Sequence, residues 1–327
     1  MPMPVLFRGR IRRTAYAGLL SCSLLLLLAS CATGRLPFLE SPDAEGSVDF
    51  PVIERMTLDY KIMRYESDQR IRATVGSTYD EFVLVDLPAT MNRYMIGTSH
   101  ALKRQEIWIR GTANLRNAQA DMDYGLHHNG KLGIDLHKGF EELALAVYKD
   151  ILPRLRPDYQ IVIFGHSLGA AEAVILAMLL WTDHYDVVQV YASGAPRVTT
   201  PAGREKFGFL PILRIVNPGD PVPFLPPWDI ISSKEPYVHL GEAVLLLDGP
   251  YYCLLSQDLG DAALDSAYRP MASSQSLGRQ IDRHLTPGYL ARLRPKVGSA
   301  IQVPFADRDQ YLLVQSEPVL PAHHSPR

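Results

Sequence analysis

Residues 161–170 read IVIFGHSLGA, in which four apolar residues precede the motif G-H-S-L-G and a run of small residues. The apolar run predicts a buried strand, and the small residues after it predict a helix that begins at once. Glycines on both sides relieve the crowding of so sharp a corner, and the serine between them then projects from the turn. The stretch therefore predicts a strand–turn–helix corner that holds Ser167, either as an ordinary turn residue or as a nucleophile.

The chain around this corner alternates between strand-like and helix-like segments. Apolar patterning predicts strands at residues 81–87, 94–98, 106–110, 160–164, 187–192 and 212–216, and helices at residues 51–72, 140–152 and 168–181. This alternation indicates an α/β fold with a mostly parallel central sheet flanked by helices on both faces. Ser167 follows a strand, at the sheet edge where such folds bind ligands. Residues 113–135 are predicted to form a polar loop, and residues 250–280 show no recognisable pattern.

A serine hydroxyl becomes a good nucleophile only when a base removes its proton and an acid orients that base. On this fold the acid and then the histidine follow the serine in the sequence. Asp220 follows the predicted strand 212–216 in a turn-rich loop, so it is either the acid or a turn-stabilising aspartate. The base is His239, which alternates with apolar residues, or His284, which precedes the turn signal Thr-Pro-Gly. The turn favours His284, and the pattern leaves His239 open.

The N-terminus resembles an export signal. Four arginines within residues 8–13 precede an uncharged stretch from Thr14 to Gly34 with an apolar centre. The sequence LASC that ends at Cys31 resembles the lipobox of bacterial lipoproteins, and Cys22 ends a weaker match. The alternative is an uncleaved transmembrane anchor. We expect an exported protein that an acylated Cys31 attaches to the bacterial cell envelope; Ala32 favours the outer membrane where one is present.

Four segments are predicted on this basis: a signal peptide at 1–30, the lipidated cysteine and a tether at 31–47, a catalytic domain at 48–315 and a disordered tail at 316–327. Cys253 would be the one unlipidated cysteine after cleavage, and its apolar neighbours predict a buried side chain. The 327 residues are 47% hydrophobic with a formal charge of −2, which suits one large α/β domain and gives no indication of a nucleic-acid partner. The oligomeric state stays open.

Several segments between residues 81 and 290 resemble the class 3 lipase family, whose members have the α/β-hydrolase fold and include the fungal triacylglycerol lipases. The strand end IWIRGT at 107–112 and the lid-like LRNAQADM at 115–122 come first. The others are LHKGF at 136–140, FGHSLGAA at 164–171, YASGAPRV at 191–198 and VNPGDPVPFLPP at 216–227. Their order along the chain matches that of the family.

The resemblance implies a catalytic triad of Ser167, Asp220 and His284, with His239 structural. It implies an oxyanion hole formed by Thr112 and by the N–H of Leu168, a residue that helix geometry also favours as a donor. It further implies acylglycerol or phospholipid substrates, and neither a metal nor an organic cofactor.

Two features of the lid region depart from the family. Ala118 stands where the family's lid usually carries a tryptophan, so we expect a lid that covers little apolar surface. His127 and His128 are expected to be exposed loop residues rather than metal ligands. The alternative function is that of a non-catalytic envelope lipoprotein that uses the fold for binding.

Overall fold

A computed structural model describes residues 43–110, 125–226, 236–274 and 282–312. Within these ranges eleven strands are found: β1 Glu81–Leu87, β2 Asn92–Ser99, β3 Arg104–Arg110, β4 Leu126–Asn129, β5 Ile134–His137, β6 Gln160–His166, β7 Asp186–Ser193, β8 Ile212–Val216, β9 Glu242–Leu246, β10 Tyr251–Leu255 and β11 Ile301–Gln302. The α-helices are α1 Phe50–Tyr65, α2 Asp68–Thr74, α3 Lys138–Ile151, α4 Leu168–Thr182, α5 Pro201–Phe207, α6 Gln257–Ser274 and α7 Thr286–Leu293. Short 3-10 helices lie at Gly76–Thr78, Leu152–Arg154, Val222–Phe224, Arg294–Lys296 and Phe305–Tyr311.

The main sheet has the strand order β1-β2-β3-β6-β7-β8-β9-β10-β11. Its middle, from β3 through β6, β7 and β8 to β9, is parallel. The strands β1, β2 and β3 pair antiparallel at one side, and β10 pairs antiparallel with β9 at the other. The carboxyl ends of the parallel strands thus share one edge of the sheet, as the strand predictions required.

Helices cover both faces of this sheet, which explains why its central strand β6 is apolar from Ile161 to Phe164. In β6, Ile161 and Ile163 point into a core formed with α3 and α4, whereas Val162 and Phe164 point into a second core formed with α1 and α7. The helix α4 is buried along its whole length from Leu168 to Leu180. A helix that is apolar on every side packs stably only in such an interior position.

The structure corrects two sequence predictions. It also shows a strand and a helix within residues 250–280, for which no element was predicted. The helix predicted at 51–72 is two helices, because the backbone becomes extended at Glu66, which ends the first helix. Ser67 then caps the second helix by accepting a hydrogen bond from the Arg70 N–H at 3.3 Å. The predicted loop 113–135 contains β4 and the first two residues of β5, which pair antiparallel; strands of four residues are too short to give a periodic signal. Residues 250–280 contribute β10 and α6.

Two further observations concern Cys253 and the helices. Cys253 is buried, as predicted, and burial raises the pKa of its thiol to about 12. None of the helices in the described part of the chain combines the length and apolar character needed to span a bilayer.

Candidate active site

The corner between β6 and α4 holds Ser167 in a backbone conformation that non-glycine residues rarely adopt. Its φ is 60° and its ψ is −130°, and its N–H donates to the Ser193 carbonyl at 2.9 Å. The turn is so tight that a Cβ on Gly165 would lie 2.1 Å from the backbone oxygen of Gly169. Only glycine therefore fits at residue 165. Backbone strain of this kind is concentrated at functional sites, where surrounding structure maintains it.

Three side chains predicted from the sequence meet at this corner. The Oγ of Ser167 lies 2.7 Å from Nε2 of His284. The other ring nitrogen of His284, Nδ1, lies 3.0 and 2.9 Å from the two carboxylate oxygens of Asp220. A carboxylate can only accept, so Nδ1 carries the proton and Nε2 is left to accept from the serine hydroxyl. The geometry is that of a nucleophile, a base and an orienting acid.

Two donors besides His284 fix the carboxylate of Asp220, which is fully buried. The backbone N–H of Val222 donates to Oδ1 at 2.9 Å, and the hydroxyl of Tyr289 donates to Oδ2 at 2.6 Å. Burial, together with the charge of Asp220, raises the pKa of Tyr289 well above its usual value, so its hydroxyl keeps the proton it donates. The buried carboxylate is therefore held in one orientation toward the histidine.

The segment that carries His284 is tied to the loop that carries Asp220. The side-chain amide of Asn217 donates to the Arg283 carbonyl at 2.7 Å, and the Arg283 guanidinium donates to the Pro218 carbonyl at 3.0 Å. Gly194 lies against this junction with a φ of +57°, and a Cβ there would come within 2.9 Å of the Tyr289 hydroxyl. A larger residue at 194 would push the acid and the histidine apart.

The competing base, His239, lies elsewhere. Its Nε2 is 2.7 Å from the Pro223 carbonyl, and its backbone N–H donates to Asp261 at 3.1 Å. Burial, together with the charge of Arg214, lowers the pKa of His239 to about 3. The ring is therefore neutral near pH 7, with its Nε2–H directed at a carbonyl rather than at Ser167.

Of the remaining residues that the sequence analysis singled out, the structure describes Leu168. Leu168 is the first residue of α4, and the first N–H groups of a helix find no acceptor within it. Thr112, Ala118, Cys22 and Cys31 lie outside the described residues.

The two histidines of the lid region lie on β4, and each pairs with one carboxylate. Nδ1 of His127 is 2.6 Å from Glu141, and Nδ1 of His128 is 2.7 Å from Asp135. Both side chains are more than half exposed. No cluster of three or more potential metal ligands occurs among the residues that the structure describes.

Sequence analysis did not assign site roles to Tyr289, Gly194, Asn217 or Arg283. Tyr289 follows His284 by little more than one helical turn, and Gly194 directly follows β7, so their positions are the signals that could have pointed to them. No sequence signal could have paired Asn217 with Arg283, since that contact joins residues far apart in the chain.

Comparison with known proteins shows that this chain is similar to lipases. Residues 107–230 match the family model "Lipase (class 3)". A lipase of Rhizomucor miehei is 29% identical over 167 residues, which are 47% of this chain and 45% of the relative. A secreted mono- and diacylglycerol lipase A of Penicillium cyclopium is 29% identical over 227 residues, which are 64% of this chain and 59% of the relative. The chain thus spans about half the length of these relatives.

The solved structure of the Lip2 lipase from Yarrowia lipolytica superposes with a TM-score of 0.57 at 19% identity, covering 81% of this chain and 98% of that one. A crystal structure of a fungal lipase gives a TM-score of 0.58 and covers 76% of this chain and all of that one. The predicted α/β-hydrolase fold is therefore confirmed.

Proposed function

The chain belongs to the class 3 lipase family, and we propose that it is a serine ester hydrolase that acts on acylglycerols or phospholipids through an acyl-enzyme. The observation that carries this proposal is the unbroken hydrogen-bonded series from the Ser167 hydroxyl through His284 to the buried carboxylate of Asp220. A serine with no catalytic role has no need of a strained backbone and a buried histidine–aspartate pair.

In the first half of the reaction His284 accepts the Ser167 proton at Nε2 while Oγ bonds to the ester carbonyl carbon. The histidine becomes an imidazolium, and the carboxylate of Asp220 stabilises that charge at Nδ1. As the tetrahedral intermediate collapses, the carbon–oxygen bond to the alcohol breaks and His284 returns the proton to the departing alcohol. The acyl group is left on Ser167.

Negative charge on the former carbonyl oxygen requires donors close to the serine. The N–H of Leu168 points from the start of α4, where the helix dipole favours an anion. We propose the N–H and hydroxyl of Thr112 as the other donors, on the basis of its family resemblance. Loss of one such donor typically lowers kcat by ~10²–10³-fold.

Water completes the cycle by the same steps in reverse. His284 removes a proton from water, the oxygen bonds to the acyl carbon, and the bond to Ser167 Oγ breaks as the serine regains its proton. These steps use only groups of the chain and water.

The acylglycerol substrate is proposed from relatives that are named as a diacylglycerol lipase-beta and as a secreted mono- and diacylglycerol lipase A. Phospholipids are proposed because the N-terminal pattern would hold the domain at a membrane.

Attachment through an acylated Cys31 has its own test: metabolic labelling with a clickable palmitate analogue in a bacterial host. Cys31→Ser should abolish the label and the matched variant Cys22→Ser should keep it; the reverse would move the anchor to Cys22.

Activity is tested with the full chain in detergent, on p-nitrophenyl esters from two to sixteen carbons, tributyrin and phosphatidylcholine vesicles. Ser167→Ala should abolish turnover and labelling by a fluorophosphonate probe. Ser77→Ala, which changes an exposed serine in a 3-10 helix, should retain both. A folded wild-type protein with no turnover on any ester and no labelling at Ser167 would favour the alternative, a lipoprotein that only binds its ligand.

A further inference from the structure

A second histidine lies directly against the catalytic one. His166 precedes Ser167 at the end of β6, and its ring is stacked on the ring of His284 with centroids 4.9 Å apart and planes at 26°. The side chain is buried. The mechanism assigns no proton transfer to His166, so its position beneath the base needs a separate explanation.

Contacts on every side fix the orientation of the His166 ring. Nδ1 lies 3.2 Å from the Ser193 hydroxyl, at the end of the neighbouring strand β7. Tyr289 meets the ring edge-on at 5.2 Å, and Tyr60 meets it edge-on at 5.6 Å. The ring of His166 is therefore held between two strands and two aromatic side chains, and it offers a flat fixed surface to His284.

The charge state of His166 suits this role. Burial lowers the pKa of His166 well below its usual value, the charges of His284 and Arg64 lower it further, and hydrogen bonding with the His284 backbone acts in the opposite direction. A neutral ring next to His284 does not repel the imidazolium that forms during catalysis, whereas a charged ring would. Aromatic π-faces also attract cations that lie over them.

We propose that His166 is a positioning residue that fixes the ring plane of His284 by stacking, and so holds Nε2 in line with Ser167. This inference rests on the proposed function for its kinetic consequence, though not for its structural one. A base displaced by about 1 Å can cost ~10²-fold in rate, so a lost stack has a measurable effect.

The test compares His166→Phe, which keeps an aromatic ring, with His166→Leu, which removes it. His284 is observed directly through the downfield proton NMR resonance of its Nδ1–H, the proton donated to Asp220. This readout does not depend on any substrate. Kinetics on a p-nitrophenyl ester supply the second readout, with Ser167→Ala as the inactive reference.

We expect His166→Phe to keep the resonance and to retain kcat within about 3-fold. His166→Leu should broaden or shift the resonance and lower kcat by about 10- to 100-fold with KM little changed, because ground-state binding does not depend on the base. His137→Leu is the matched control, since His137 is buried and stacked on Phe140 with centroids 3.8 Å apart. It should lower the melting temperature without moving the His284 resonance.

A His166→Leu protein with an unchanged resonance and wild-type kcat would overturn the proposal, and so would equal losses in His166→Phe and His166→Leu. Should His166→Leu not fold, Ser193→Ala frees the ring at Nδ1 instead and is expected to perturb the same resonance; an unperturbed resonance would again refute the proposal. If wild type hydrolyses no ester, the proposed function fails, and the resonance still decides the role of His166.

Discussion

Two histidines in this molecule lie beside a buried aspartate, and only one of them contacts a serine. His284 meets Asp220 through its ring, at Nδ1, and Ser167 through Nε2. His239 meets Asp261 through its backbone N–H instead, while its ring donates to the Pro223 carbonyl. Which atom of the histidine faces the carboxylate decides whether the ring can act as a base.

The two aspartates also differ in their countercharges. Burial opposes ionisation of Asp261, but Arg214, whose guanidinium lies 2.9 Å away, and further positive charge hold the pKa of Asp261 at about 2. Asp220 is surrounded by hydrogen-bond donors that include His284, Val222 and Tyr289. The positive charge of Arg214 offsets the negative charge of Asp261, so this carboxylate would stabilise an imidazolium only weakly. We therefore interpret the pair of His239 and Asp261 as structural.

The largest expected difference is between His284→Ala and His239→Ala. The first removes the base and should lower kcat/KM by ~10⁴-fold or more, as triad substitutions do. The second should keep kcat/KM per folded molecule within a few-fold while lowering stability. Ester hydrolysis normalised to the folded fraction from circular dichroism measures both. An inactive but folded His239→Ala beside an active His284→Ala would reverse the assignment.

Removing a charge from each aspartate separates stability from rate. Asp261→Asn leaves Arg214 buried without its partner and should cost about 3–5 kcal/mol in the free energy of unfolding, with kcat per folded molecule retained. Asp220→Asn should lower kcat by ~10⁴-fold, because the histidine adopts the wrong tautomer, with a smaller effect on stability. Urea titration and initial rates give the two quantities. A rate loss at Asp261 as large as that at Asp220 would contradict the comparison.

The fold was largely predictable because its signals are local. The strands 81–87 and 212–216 have their predicted bounds, since each is an apolar run ended by turn residues. The corner at Ser167 is also local, because its glycines follow from the geometry of one turn. The hairpin of β4 and β5 was missed because each strand has only four residues.

The choice between His284 and His239 as the base depends on contacts between segments that are distant in the sequence. His284 and His239 both follow Asp220 in the sequence, and what separates them is pairing across distant segments: His284 with an aspartate 64 residues away, and His239 with an arginine-bound one. The support of Asp220 by Tyr289 and of His284 by His166 depends likewise on tertiary packing. The resemblance to a family selected His284 where pattern alone left two candidates. Its catalytic role, like those of Ser167 and Asp220, stays a prediction for the variants above to test.

The neutral state of His239 gives the stability a defined pH dependence. Burial lowers the pKa of His239 to about 3, and burial also lowers that of His166, whereas an unfolded histidine titrates near about 6.5. Below that value the unfolded chain binds protons that the folded protein does not. The free energy of unfolding should therefore fall as the pH falls below about 6.5, by about 1.4 kcal/mol per pH unit for His239 down to a pH of about 3, with a contribution of the same sign from His166.

His239→Gln should remove one of these two contributions, because glutamine does not titrate and can still donate to the Pro223 carbonyl. Urea titrations at several pH values between about 7 and 4 give the slope. His184→Gln, which changes an exposed histidine, is the control and should keep the wild-type slope. An unchanged slope in His239→Gln would mean that His239 takes up a proton in the folded state.

The smallest expected effect concerns the hydroxyl that distinguishes Asp220 from Asp261. Tyr289→Phe removes the 2.6 Å hydrogen bond to Oδ2 while the bonds from His284 and Val222 stay. We expect kcat to fall by about 10-fold, near the lower end of what a hydrogen bond to a charged group contributes, with KM unchanged. Tyr252→Phe removes the hydroxyl of another tyrosine in the same core, 3.5 Å from Gln302, and should leave kcat unaffected. Equal kcat values for the two variants would show that His284 and the Val222 N–H orient the acid without help from the Tyr289 hydroxyl.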